Sequence, residues 1–147
     1  MSSKTFSVTM KLLENYLFEV DFGEFGNVMT DEPPPLGGGE GPHPSAMLAA
    51  SVANCMSASL LFALRKYKDD PGEISATVEG TVERVDKYLR ITALDVTIRL
   101  GCNRADLPSL GKVMSQFENF CVVTQSVRHG VPVTVNVVDA AGEAVVD

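Results

Sequence analysis

Residues 44–64 read PSAMLAASVANCMSASLLFAL, and none of them is charged. Small residues dominate the stretch: Ala46, Ala49, Ala50, Ser51, Ala53, Ser57, Ala58 and Ser59. Its length would span a bilayer, but Ser45, Ser51, Asn54, Ser57 and Ser59 dilute the apolar character, and Arg65-Lys66 with Lys68-Asp69-Asp70 end it abruptly. The pattern predicts a helix buried on nearly all faces inside a soluble domain rather than a membrane span. Pro44 suits its first turn, where the missing N–H would be unpaired anyway. Small side chains along the helix allow close approach by sheets or by a partner helix.

Before this helix, Phe6, Val8, Met10 and Leu12 alternate with Thr5, Ser7, Thr9 and Lys11, the period of a half-buried strand. After a turn at Glu14-Asn15, Tyr16, Phe18, Val20 and Phe22 repeat the period, and Gly23 to Gly26 supply turn chemistry ahead of Val28-Met29-Thr30. An antiparallel meander is expected. Asp31 to Pro44 holds three consecutive prolines and three consecutive glycines, so it carries neither a helix nor a central strand. A loop of that length is either a lid, binding surface or partner contact, or a disordered connector.

Beyond the helix, Ile74, Ala76, Val78 and Val82 mark a long strand. In the next, Leu89, Ile91 and Ala93 keep one phase and Leu94, Val96, Ile98 and Leu100 the other, which predicts a β-bulge near Ala93-Leu94. Leu107, Leu110, Val113, Met114 and Phe117 have helical spacing within Ala105 to Phe120, and a short helical segment should run from Cys121 to Gly130. Val131, Val133, Val135 and Val137 read as a last strand, and Gly142 allows a hairpin to Val145-Val146. The order β-β-β-helix-β-β-helix-β is an α+β arrangement in one domain, residues 1–147.

A net charge of −7 argues against a nucleic-acid partner, which needs clustered Lys and Arg. The N-terminus enters alternating residues without a secretory h-region, so a cytoplasmic protein is expected, with no membrane association. Three cysteines, Cys55, Cys102 and Cys121, form no C-x-x-C pair, and His43 and His129 are too few for a metal site, so neither a metal nor an organic cofactor is expected. In a reducing compartment such cysteines are either buried small apolar residues or redox-active thiols. On composition alone Cys55 and Cys121 read as core residues and Cys102 as an incidental loop thiol.

Residues 41–56, from Gly41-Pro42-His43-Pro44 through Asn54-Cys55-Met56, resemble the central-helix region of the OsmC/Ohr family. Phe117-Glu118-Asn119-Phe120-Cys121, continuing through Ser126-Val127-Arg128-His129-Gly130 to Val135, resembles that family's second-cysteine region and its following strand. The resemblance implies an intertwined homodimer, with antiparallel sheets of both chains wrapped around long central helices and active sites at the dimer interface. It implies peroxiredoxin-like reduction of organic or inorganic hydroperoxides, with Cys55 as the peroxidatic thiol, Cys121 as the resolving thiol, and an external thiol or dithiol as reductant.

The family pattern includes an Arg from the N-terminal part and a Glu in the first turn after the helix-opening proline. Here Ser45 and Ala46 occupy the first turn and no arginine precedes Arg65. Cys55 lies about three turns into its helix, too far for the N-terminal dipole to act. Glu40, Arg128, Ser45 and Lys11 are the candidates for supporting roles. The alternative is a dimeric binding or stress-associated member of the fold that keeps the cysteines without peroxidase activity. A hydrolase or acyl-transfer enzyme using Cys55 would need His43 beside it as a base.

Overall fold

The structure, a computed structural model, describes residues 3–145. Strands β1 (Thr9–Glu14), β2 (Leu17–Asp21) and β3 (Asn27–Thr30) form an antiparallel meander in that order. Asn15 at φ 48° makes the first turn, and Gly23 and Gly26 at φ 70° and 87° bracket a single 3-10 turn in the second, a conformation that glycine adopts without steric cost. The expected meander is therefore present. Its apolar residues are largely uncovered, with Phe6, Met10 and Leu12 all exposed, and the sheet makes at most slight contact with the other elements.

The loop after β3 is a built structure rather than a slack connector. Asp31 is buried, and its carboxylate accepts hydrogen bonds from the Glu32 N–H at 2.7 Å and the Glu40 N–H at 3.0 Å. The Asp31 N–H donates to the Pro42 carbonyl at 3.2 Å, tying the loop's ends together. At Gly41 the backbone passes so close to Met29 that a Cβ would sit 2.5 Å from its carbonyl oxygen.

Helix α1 (Pro44–Lys66) follows, with Pro44 in its first turn. His43 is the N-cap, its Nδ1 accepting from the Ala46 N–H at 2.9 Å. The burial is one-sided: Val52, Ala53, Met56, Ser59, Leu60, Ala63 and Leu64 are buried, whereas Phe62 is exposed. The expectation of a helix covered on nearly all faces is not met within one chain, because a single two-stranded sheet and a few short helical turns reach only one side of it.

Strands β4 (Ser75–Val85) and β5 (Tyr88–Arg99) form a long antiparallel hairpin against α1. Thr81 pairs with Ala93 and Val82 with Ile91, so Thr92 is the extra residue. The phase switch is thus one residue before the predicted position, and it puts Leu89, Ile91, Leu94, Val96 and Ile98 in register on one face.

The single helix predicted for Ala105 to Phe120 is instead three pieces: a 3-10 turn at Arg104–Asp106, α2 (Leu110–Met114) and a 3-10 turn at Phe117–Phe120. Pro108 supplies no N–H and disfavours helical backbone at Leu107, which separates the first two pieces. Asn103 and Asp106 close a reciprocal capping box around the first. Helix α3 (Val122–His129) ends at Gly130, as the sequence predicted, with φ 73°.

Among the described residues, 131–137 form no ladder with another strand, contrary to the expected last strand. Val131, Val133, Val135 and Val137 are all exposed. Beyond them Val138 bridges Ala144 and the Val145 N–H donates to the Val137 carbonyl at 2.8 Å, a minimal hairpin around Gly142; Val146 lies outside the described residues. The hydrophobic core joins α1 to the segments after β5 through Met56, Leu60, Ala63, Leu64, Leu107, Val113, Phe117 and Cys121.

Candidate functional site

Cys55 and Cys121 reach the core from two segments distant in sequence. Cys55 is on α1, half-buried, one residue before the core residue Met56. Cys121 is fully buried at the N-cap of α3, where its sulfur accepts a hydrogen bond from the Thr124 N–H at 3.4 Å. Two contacts fasten its segment to α1. Phe120 meets Phe62 edge-on, with ring centroids 5.3 Å apart, and Gln116 Nε2 donates to the Tyr67 hydroxyl at 3.3 Å. Phe117 fills the core on the other side.

The side chains of Cys55, Ser59 and Thr124 are the polar neighbours of the Cys121 sulfur, and the Thr124 N–H makes the formed hydrogen bond to it. Burial alone pushes the Cys121 thiol up, but these donors and the Thr124 N–H outweigh it and hold the thiol below its ordinary value. All of these donors are uncharged. The Thr124 hydroxyl is buried with no hydrogen-bond partner, whereas its backbone N–H is bonded to the sulfur. Both thiols are free.

A cavity of about 870 Å³ opens between α1 and β5, lined by Met56 and Thr124 but by neither cysteine. Leu48, Val52, Met56 and Leu60 line one wall, Ile91, Leu94, Val96 and Ile98 the other, and Thr124 reaches it from α3. At its rim Arg128 pairs with Glu118 at 2.6 Å, both about half exposed.

None of the other candidate residues is hydrogen-bonded to the Cys121 sulfur among the described residues. Arg128 reaches the cavity but is not among the groups that act on the Cys121 proton. Glu40 is held in the loop by its N–H bond to Asp31. Ser45 is in the first turn of α1, ten residues before Cys55, about 15 Å along the helix axis. His43 is further still and is engaged as a cap, which removes the base an acyl-transfer mechanism needs. Lys11 pairs with Glu19 at 3.7 Å across the N-terminal sheet. Cys102 lies in the loop after β5, its thiol near the Asp70 carbonyl at 3.7 Å. Among the described residues no group of His, Cys, Asp and Glu is arranged to hold a metal.

Sequence reasoning named both cysteines and missed Ser59 and Thr124. Signals for both exist. Ser59 is four residues after Cys55 on the same helix face, and Thr124 is the N3 residue of a helix capped by Cys121.

The fold is a mixed α+β arrangement with Cys55 on its long central helix and Cys121 in the core that packs on that helix. The sequence pattern of the family described as OsmC-like protein matches residues 37–136, and the chain belongs to that family. No curated protein sequence matches the chain. An OsmC-like protein from Mycoplasma pneumoniae has a similar structure, with TM-score 0.70 and 15% identity over 88% of this chain and 91% of that one. An OsmC-like protein of unknown function from Vibrio cholerae gives TM-score 0.68 at 14% identity, covering 84% of this chain and 94% of that one. The organic hydroperoxide resistance protein OhrB of Bacillus subtilis gives 0.56 at 19% identity, over 85% and 91% of the two chains.

Proposed function

We propose that the protein is a thiol-dependent reductase of organic or inorganic hydroperoxides that works as a cytoplasmic homodimer, with Cys55 as the peroxidatic and Cys121 as the resolving thiol. The observation that carries this reading is that two cysteines distant in sequence pack into one core cluster, Cys121 within it and Cys55 against it. Cys55 has the open surface a peroxide needs, and Cys121 has none. A sulfenic acid on Cys55 would therefore meet Cys121 before it met any solvent thiol. An external thiol or dithiol restores the pair. The hydroperoxide resistance protein of similar fold supports the substrate class.

Stoichiometric hydroperoxide should consume two thiols per chain and leave Cys102 open to alkylation. Cys55→Ser should abolish consumption, whereas Cys121→Ser should permit one oxidation and then stall. Oxidation that links Cys102, or two single mutants that behave like wild type, would rule out the two-cysteine reading.

A second reading, a dimeric binding protein without peroxidase activity, draws on two observations. The OsmC-like proteins from Mycoplasma pneumoniae and Vibrio cholerae superpose better than the hydroperoxide resistance protein, and the groups acting on the Cys121 proton are all uncharged. Failure of the wild type to consume any hydroperoxide would favour it.

A further inference from the structure

The cavity between α1 and β5 is not accounted for by the thiol chemistry, since neither cysteine lines it. Its β5 wall follows from the bulge at Thr92, which brings Ile91, Leu94, Val96 and Ile98 onto one face. Val52, Met56, Leu60 and Phe117 line it as buried residues, whereas Leu48, Ile91, Met114 and Val127 line it while each stays more than a third exposed. Its volume of about 870 Å³ falls within the roughly 300–1,000 Å³ of small-molecule sites. Exposed apolar side chains gathered around one concavity with a polar rim mark a ligand site rather than a finished core. Met56 and Met114, unbranched and polarisable, can follow the shape of a guest.

The charges around the cavity decide which guest it takes. Asp95, Glu118 and Arg128 are the charged residues that line it, two anions against one cation. A carboxylate would lose hydration on entry and meet a net negative rim, so both effects oppose it. An uncharged molecule suffers neither. Arg128 gives Nη2 to Glu118 at 2.6 Å, and a guanidinium carries five N–H donors, so donors remain for an oxygen at the mouth.

We propose that this cavity binds an uncharged aliphatic molecule with one terminal oxygen group, of the class of long-chain alcohols, its chain between α1 and β5 and its oxygen beside Arg128. The site is separate from the thiols and does not depend on their reducing hydroperoxides.

The test uses the full chain and N-phenyl-1-naphthylamine, an uncharged fluorophore, with dodecanol and dodecanoate as competitors at about pH 8, where the acid is ionised. The fluorophore should bind at one site per chain and be displaced by dodecanol roughly tenfold more effectively than by dodecanoate. Glu118→Gln, which removes a rim anion, should narrow that preference about threefold or more. Leu48→Glu and Ile91→Glu put charges into opposite walls and should each weaken fluorophore binding roughly tenfold. Thermal unfolding checks that these variants are folded. The wild type gives a readout that needs no variant: the methyl resonances of Met56 and Met114 should shift on binding, and those of Met10 and Met29 in the N-terminal sheet should not. No saturable binding by the folded chain, as when a second copy seals the cavity, would overturn the proposal. So would shifts confined to Met10 and Met29, or unchanged binding by folded Leu48→Glu and Ile91→Glu. Displacement by dodecanoate as effective as by dodecanol would overturn the ligand class. Cavity binding by a chain that consumes no hydroperoxide would support this site and leave the thiol reading alone to fail.

Discussion

The three cysteines share a residue type and differ in everything that controls a thiol. Cys121 is sealed from solvent and held below its ordinary value by neutral donors that outweigh its burial. Cys102 goes the other way. Loss of hydration raises it first, and the carboxylates of Asp106, Asp70 and Asp69 raise it further by disfavouring a nearby anion. Alkylation requires the thiolate, so a raised thiol is less reactive at neutral pH and gains reactivity only as pH climbs above the range of a free thiol. Cys102 should therefore be labelled by iodoacetamide more slowly than free cysteine at pH 7, with its rate rising at higher pH. Asp106→Asn, which removes one anion and keeps an acceptor for the Asn103 N–H, should speed the neutral-pH labelling a few-fold. Peptide mapping of labelled protein reads this directly, and labelling of Cys102 at the rate of free cysteine would contradict the assignment.

At the level of elements, local chemistry was legible in the sequence and non-local pairing was not. Pro44 and Gly130 bound their helices because a first turn tolerates a missing N–H and a helix end tolerates a positive φ, both properties of single residues. The hydrophobic phase switch in β5 located the bulge to within one residue, at Thr92. The helix expected across Ala105 to Phe120 failed at Pro108, where apolar spacing outvoted a backbone restriction that the same stretch displays. The alternating valines after Gly130 have a strand's pattern, but a ladder needs a second edge, and no sequence pattern says whether that edge is in the same chain. The thiol pair was legible only through the family resemblance; composition favoured two core residues, and Cys121 is indeed in the core as well as beside Cys55. The loop before α1 was legible as a loop but not as a structure, because its order comes from one buried carboxylate. Asp31→Ala would leave the Glu32 and Glu40 N–H groups without their acceptor, at a cost of about 1–3 kcal/mol for an unpaired buried group. Faster amide exchange and proteolysis confined to residues 31–43 are expected, with α1 itself still protected. Unchanged exchange in that segment would show that Gly41 and the prolines alone hold it.

The whole molecule leaves uncovered the surfaces that its sequence pattern marks for burial. Val133 and Val135 are 82% and 77% exposed, Phe6 is 92% exposed, and α1 is covered on one side only. Exposed apolar area on this scale is unusual for a monomer, and an unpaired run of alternating valines is a template for strand pairing. In the proposed homodimer a second copy of the chain would supply matching surfaces: a three-stranded sheet with little to rest on, and a two-stranded sheet with a long central helix in need of cover. Intertwined pairing of this kind ties folding to association, so the dimer should persist at dilution rather than exchange freely with folded monomers. Sedimentation at low micromolar concentration should give twice the chain mass. Val133→Glu would put a charge where the proposed pairing buries a valine, and it should yield a smaller, less stable species, with hydroperoxide consumption falling in parallel because the proposed interface covers α1, which carries Cys55. A wild-type chain that sediments as a well-behaved monomer would remove the intertwined arrangement. A Val133→Glu variant that remains dimeric would place residues 131–137 outside the contact between subunits.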